Sequence, residues 1–69
     1  MKISARNQLK GKIVEVTKGA TTSHVFIDIG GGAIVTASIT NQSVDELGLA
    51  VGGSAYAIIK SSDVMVGVD

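Results

Sequence analysis

Three consecutive glycines, Gly30-Gly31-Gly32, stand between two apolar runs that alternate with a period of two. Before them, His24-Val25-Phe26-Ile27-Asp28-Ile29 places Val25, Ile27 and Ile29 on one face and His24 and Asp28 on the other. After them, Ala33 to Thr40 sets Val35, Ala37 and Ile39 against Ile34, Thr36, Ser38 and Thr40. Glycine reaches the positive φ angles of a tight hairpin turn without steric cost, so this stretch predicts two antiparallel strands joined directly. No helix pattern follows the glycines, which argues for a turn over a phosphate loop. With no proline and nine glycines in the chain, strand-and-turn composition extends to both sides of the hairpin.

Upstream, residues 10–17 read as a first strand and Lys18–Ser23 as its connection to the second. Downstream the period changes. Ser43-Val44-Asp45-Glu46-Leu47-Gly48-Leu49 has the spacing of a capping box, with Ser43 as N-cap and Glu46 three residues on. Val44 and Leu47 share a helix face, and Gly48 before Leu49 fits a helix stop. Val51-Gly52-Gly53 then turns back, Ser54–Lys60 forms a fourth strand, Ser61–Asp63 a tight turn and Val64–Val68 a fifth. This order predicts an all-β fold: a five-stranded, OB-like Greek-key barrel with one short helix between strands 3 and 4. Residues 1–69 read as a single domain without repeat or linker.

A chain of 69 residues buries only about 60% of its unfolded surface, so its own core is thin. Small folds compensate with disulfides, metals or oligomerisation. There is no cysteine, and the one histidine, His24, does not make a metal site, so no metal cation is expected. Yet 45% of the residues are apolar and mean hydropathy is +0.41. No apolar run approaches the ~18 residues of a membrane span. A homo-oligomer is the expected way to bury that surplus. The start, Met-Lys-Ile-Ser, shows no export signal, and the expected location is cytoplasmic.

Six basic and six acidic residues cancel, so any attraction for an anion has to be local. Three stretches are rich in hydrogen-bond donors and free of acids: Ser4-Ala5-Arg6-Asn7-Gln8, Thr40-Asn41-Gln42-Ser43 and Lys60-Ser61-Ser62. Arg6 is the only arginine. A tetrahedral oxyanion presents acceptor oxygens alone, so its ideal site is made only of donors. Taken singly, Ser43 reads equally as a helix cap, Thr40 as a strand-end hydroxyl, Lys60 as a surface lysine and Arg6 as a surface charge. Spacing alone leaves both readings open.

The same stretches carry a resemblance. Ser4-Ala5-Arg6-Asn7-Gln8-Leu9-Lys10-Gly11-Lys12-Ile13 resembles the opening of the molbindins, the small molybdate-binding Mop proteins. These are related to accessory domains of molybdate transporters and molybdate-responsive regulators. The similarity continues through Ile39–Leu49 and Ile59–Met65, and so spans almost the whole chain. It implies a hexamer, a trimer of dimers, that holds molybdate or tungstate by hydrogen bonds between subunits without an organic cofactor. It implies donors from Thr40, Ser43, Lys60 and Ser61 of one subunit and from Ser4, Ala5 and Arg6 of its neighbour. It also implies a second class of site, for which Ala20, Thr21, Thr22, Ser23 and His24 are the candidates. The ion would be held for storage or homeostasis.

Two other classes compete. An OB module that binds nucleic acid needs stacking aromatics and a basic groove, whereas this chain offers Phe26, Tyr56 and zero net charge. An interaction or regulatory module without an anion site would have no use for the acid-free clusters. Catalysis is not expected, because no nucleophile–base–orienter set is visible.

Overall fold

In the computed structural model, which describes all 69 residues, the alternating runs around the glycines form the central hairpin. β2 (Thr22–Gly30) and β3 (Ala33–Thr40) pair antiparallel, with Val25 opposite Ala37 and Ile27 opposite Val35. Gly31 and Gly32 both take positive φ, 62° and 82°, as a two-residue hairpin turn of the primed type requires. The Asp28 carboxylate accepts from the Gly30 N–H at 2.8 Å and steadies the approach to the turn.

β1 (Asn7–Lys18) is longer than expected and takes in Asn7–Leu9. Its first half pairs with β4 (Ser54–Ile59), from Asn7 opposite Ile59 to Lys12 opposite Ser54. Its second half pairs with β2, from Lys12 opposite Asp28 to Lys18 opposite Ser23. Between Ile13 and Glu15 the register slips by one residue, leaving Val14 extra. That bulge lets Ile13 face Ile27 and Val16 face Val25, although an odd and an even position of a regular strand lie on opposite faces. The strand order is β3-β2-β1-β4, three hairpin-connected strands with the fourth returned beside the first. This is the expected Greek-key arrangement.

β1 can bend here because Gly11 has no side chain. A Cβ on Gly11 would run into the Asp28 carbonyl oxygen and lie 2.7 Å from the Ile27 Cγ2. The buried apolar core is five residues: Ile13, Val25, Ile27, Val44 and Ala57. Only six of 69 residues are buried, Ser23 being the sixth. The single chain therefore has a core too thin for its composition.

The helix α1 (Asn41–Leu47) departs from the expected capping. Its N-cap is Thr40, whose Oγ1 accepts from the Ser43 N–H at 3.0 Å. Ser43 is the third helical residue, and Glu46 instead accepts from Gln42 Nε2 at 2.9 Å. The start is pinned three residues early because Asn41 bonds backward, its N–H donating to the Thr21 carbonyl at 2.9 Å. Val44 is buried, but Leu47 on the same face is 69% exposed. The stop is as expected: Gly48 at φ 64° donates to Asp45, and the Leu49 N–H donates to the Val44 carbonyl at 3.0 Å.

The fifth strand is the main correction. A 3₁₀ turn at Ser61–Asp63 follows β4, and residues 64–68 join no sheet. Four strands make a curled half-barrel whose two edges, β3 and β4, find no strand of this chain to join them.

Gly11→Ala is expected to destabilise the fold by ~1–3 kcal/mol, because the added methyl meets backbone that cannot rotate away. Thermal unfolding followed by circular dichroism, at one protein concentration for both proteins, measures it.

Candidate oxyanion site

Two of the three donor clusters meet in the single chain. Asn7 and Ile59 are register partners at the ends of β1 and β4, and the Asn7 Nδ2 donates to the Ile59 carbonyl at 3.2 Å. The Gln8 Nε2 donates back to the Ala5 carbonyl at 3.1 Å, folding the N-terminal segment over. These two amides hold Ser4-Ala5-Arg6 beside the chain that leaves β4. There, Ser4, Ala5, Arg6, Lys60, Ser61 and Ser62 line a solvent-open pocket of about 240 Å³.

The chemistry of this pocket is one-sided. It joins a guanidinium, an ammonium and three hydroxyls, with no carboxylate among its lining residues. Asp63 is next in sequence, but its N–H is spent on the Lys60 carbonyl at 2.9 Å, closing the 3₁₀ turn that presents Ser61 and Ser62. Such a donor set satisfies an anion with only acceptor oxygens. Ser62 is a lining residue that the residue-by-residue expectation omitted; the signal was its place in the acid-free Lys60-Ser61-Ser62 run.

Thr40 and Ser43 are not part of this pocket. They lie at the junction of β3 and α1, where Thr40 pairs with Thr22 at the far end of the sheet from Asn7. The Thr40 Oγ1 donates to the Ser43 Oγ at 2.8 Å while accepting the Ser43 N–H. Thr40 is thereby committed to its neighbour, and the Ser43 hydroxyl, as an acceptor in that bond, keeps its own proton for another partner. One chain thus carries two separated donor groups: Ser4–Arg6 sits with Lys60 and Ser61, apart from Thr40 and Ser43.

Residues Ala20–His24 are partly structural. Ser23 is only 1% exposed, and its hydroxyl donates to the Asn41 Oδ1. The Asn41 Nδ2 in turn donates to the Gly19 and Ala20 carbonyls at 3.1 and 3.4 Å. One asparagine therefore ties the β1–β2 connection to the helix start. His24 lies edge-on to Phe26, with ring centroids 6.5 Å apart. The Thr21 and Thr22 side chains are exposed.

The TOBE-domain profile matches residues 3–66. The chain belongs to the TOBE-domain family. Within it, the Mop resemblance read from the three motifs is borne out. A probable molybdenum-pterin-binding protein of Haemophilus influenzae is 55% identical over 69 residues, covering all of both chains. Among solved structures, MopII from Clostridium pasteurianum superposes with a TM-score of 0.90 at 48% identity, over 97% of this chain and 100% of that one. The cytoplasmic molybdate-binding protein ModG, solved with molybdate bound, superposes with a TM-score of 0.94 at 40% identity. That match takes in all of this chain and 49% of ModG.

Asn41→Ala is expected to cost ~1–3 kcal/mol, because it leaves the buried Ser23 hydroxyl without an acceptor. Adding Ser23→Ala should recover part of the loss, since no buried hydroxyl then remains unpaired. Urea unfolding of the two single variants and the double variant measures both effects.

Proposed function

We propose that this TOBE-family protein binds molybdate, and tungstate with it, as a hydrogen-bonded dianion at interfaces between the subunits of a homo-oligomer. The observation that carries this reading is the acid-free pocket in which Arg6 and Lys60, from opposite ends of the sequence, converge with Ser4, Ser61 and Ser62. Proteins named for molybdenum and molybdate share the fold and up to 55% of the residues. Burying an unpaired dianion is costly, so its water is given up only where donors surround it. The pocket is open on one side, and Ser43, with a hydroxyl proton free, lies at the other end of the same sheet. A second copy that brings its Thr40–Ser43 corner to the pocket of the first completes the shell.

Binding rather than catalysis is the role this assembly suits. The oligomer is a hexamer built as a trimer of dimers, residues 1–69 acting as one domain of it, and its work is storage or homeostasis of the ion in the cytoplasm. The exposed side chains of Thr21, Thr22 and His24 are those left for a second class of site in the Ala20–His24 loop. Selectivity rests on cavity size, which separates molybdate from the smaller sulfate, and on a donor-rich lining without a carboxylate, which offers the proton of hydrogen phosphate no anionic acceptor.

Arg6→Ala is expected to weaken molybdate binding at least ~10-fold, in line with the loss of a charge-assisted hydrogen bond worth ~1.5–3 kcal/mol. Lys10→Ala removes the same charge outside the pocket, where the Lys10 Nζ lies 5.9 Å from the Tyr56 ring centroid, and should leave affinity within about twofold. Isothermal titration calorimetry of both variants tests the assignment. Equal losses would remove Arg6 from the site.

A further inference from the structure

A pocket for an anion needs its donors turned inward and its acceptors turned away, and the two walls of this pocket reach that state by different means. On the β4 side the backbone does most of it. The Lys60 carbonyl accepts from the Asp63 N–H at 2.9 Å, and the Ser61 carbonyl from the Val64 N–H at 3.3 Å, as the 3₁₀ turn closes. The Ile59 carbonyl just before them accepts from the Asn7 amide at 3.2 Å. Carbonyl oxygens are acceptors only, so one left facing a dianion would repel it.

The N-terminal wall has no turn to do this. Residues 1–6 precede β1 and belong to no helix or strand. The Ala5 and Arg6 N–H groups take part in no backbone hydrogen bond of the chain and are open to an acceptor. The Ala5 carbonyl has one partner in the chain, the Gln8 Nε2 at 3.1 Å. Gln8 lies opposite Ile58 in the β1–β4 ladder, yet its exposed side chain reaches back three residues instead of across the sheet. Asn7 also supports the pocket, but its bond joins strand ends 52 residues apart and belongs to the fold as well. Gln8 engages only the segment that lines the pocket.

We infer that Gln8 is a positioning residue of the oxyanion site: its amide turns the Ala5 carbonyl away from the anion and leaves Ser4, the Ala5 N–H and Arg6 to meet it as donors. The inference rests on the reading of the pocket as an oxyanion site. A segment outside any regular element loses conformational freedom when it closes on a ligand, and a bond that fixes it beforehand reduces that cost. Gln8 touches no bound oxygen in this account and acts through Ala5.

The test uses the full chain and Gln8→Met, which keeps the length of the side chain and removes the donor. In the free protein, nitrogen-15 relaxation should show the Ala5 and Arg6 amides more mobile in the variant, with the melting temperature unchanged. Calorimetric titration with molybdate should show binding about 3–10-fold weaker, the scale of one net hydrogen bond. Because Gln8 acts by placing residues 4–6, the loss should be smaller when Arg6→Ala is already present. Gln8→Met that binds as tightly as the unsubstituted chain, or that loses the same factor in both backgrounds, would overturn the role of Gln8. A lowered melting temperature with residues 5 and 6 no more mobile would make Gln8 a structural residue and overturn it too. An unsubstituted chain that takes up no molybdate would remove the site itself, and the inference with it.

Discussion

The bend of β1 over Gly11 to Glu15 is the constraint on which the rest of the molecule depends. One strand serves two neighbours, β4 with its first half and β2 with its second, and it does so only because backbone approaches backbone at Gly11 and an extra residue is taken up at Val14. That bend curls four strands into a half-barrel and turns Ile13 and Val16 to the same side. It also decides where polar chemistry is displayed. The Asn7 end of β1 brings Arg6 beside Lys60, while the Lys18 end lies with Ser23, Asn41 and the start of α1. The two donor groups are thus held apart within a chain.

This division joins stability to function. Five apolar residues are a small core for 69, and the groove between β3 and β4 leaves much of the remaining apolar surface uncovered. In the proposed homo-oligomer, assembly would supply the missing burial, and the same contacts would bring donors from one copy within reach of the pocket of another. An anion bound between copies stabilises the assembly by mass action, so occupancy and assembly are thermodynamically linked. The two part-buried polar links, Asn7 to Ile59 and Asn41 to Ser23, fix the two corners of the chain that carry the donors.

Much of this was legible in residue patterns whose causes are local. Alternation around Gly30–Gly32 gave β3 to the residue, and Gly48 before Leu49 marked the end of the helix, because hairpin turns and left-handed helix stops are set by a few neighbouring side chains. What escaped was decided by contacts distant in sequence. Ser43 has the spacing of a cap, but Asn41, bound to Gly19, Ala20 and Thr21, starts the helix earlier and makes Thr40 the cap. Val64–Val68 has the composition of a strand, but a strand exists only with a partner edge, which its own chain does not bring to it. The convergence of Ser4–Arg6 with Lys60–Ser62 belongs to the same class, since it follows from Asn7 lying opposite Ile59.

The central claim is that the oxyanion is held by donors drawn from more than one copy. Native mass spectrometry of the purified protein, titrated with molybdate in excess sulfate, addresses it most directly. The account predicts an oligomer that takes up several molybdates while sulfate fails to displace them, with no molybdate on any free single chain. Molybdate carried by the single chain, or an oligomer that stays empty, would contradict it.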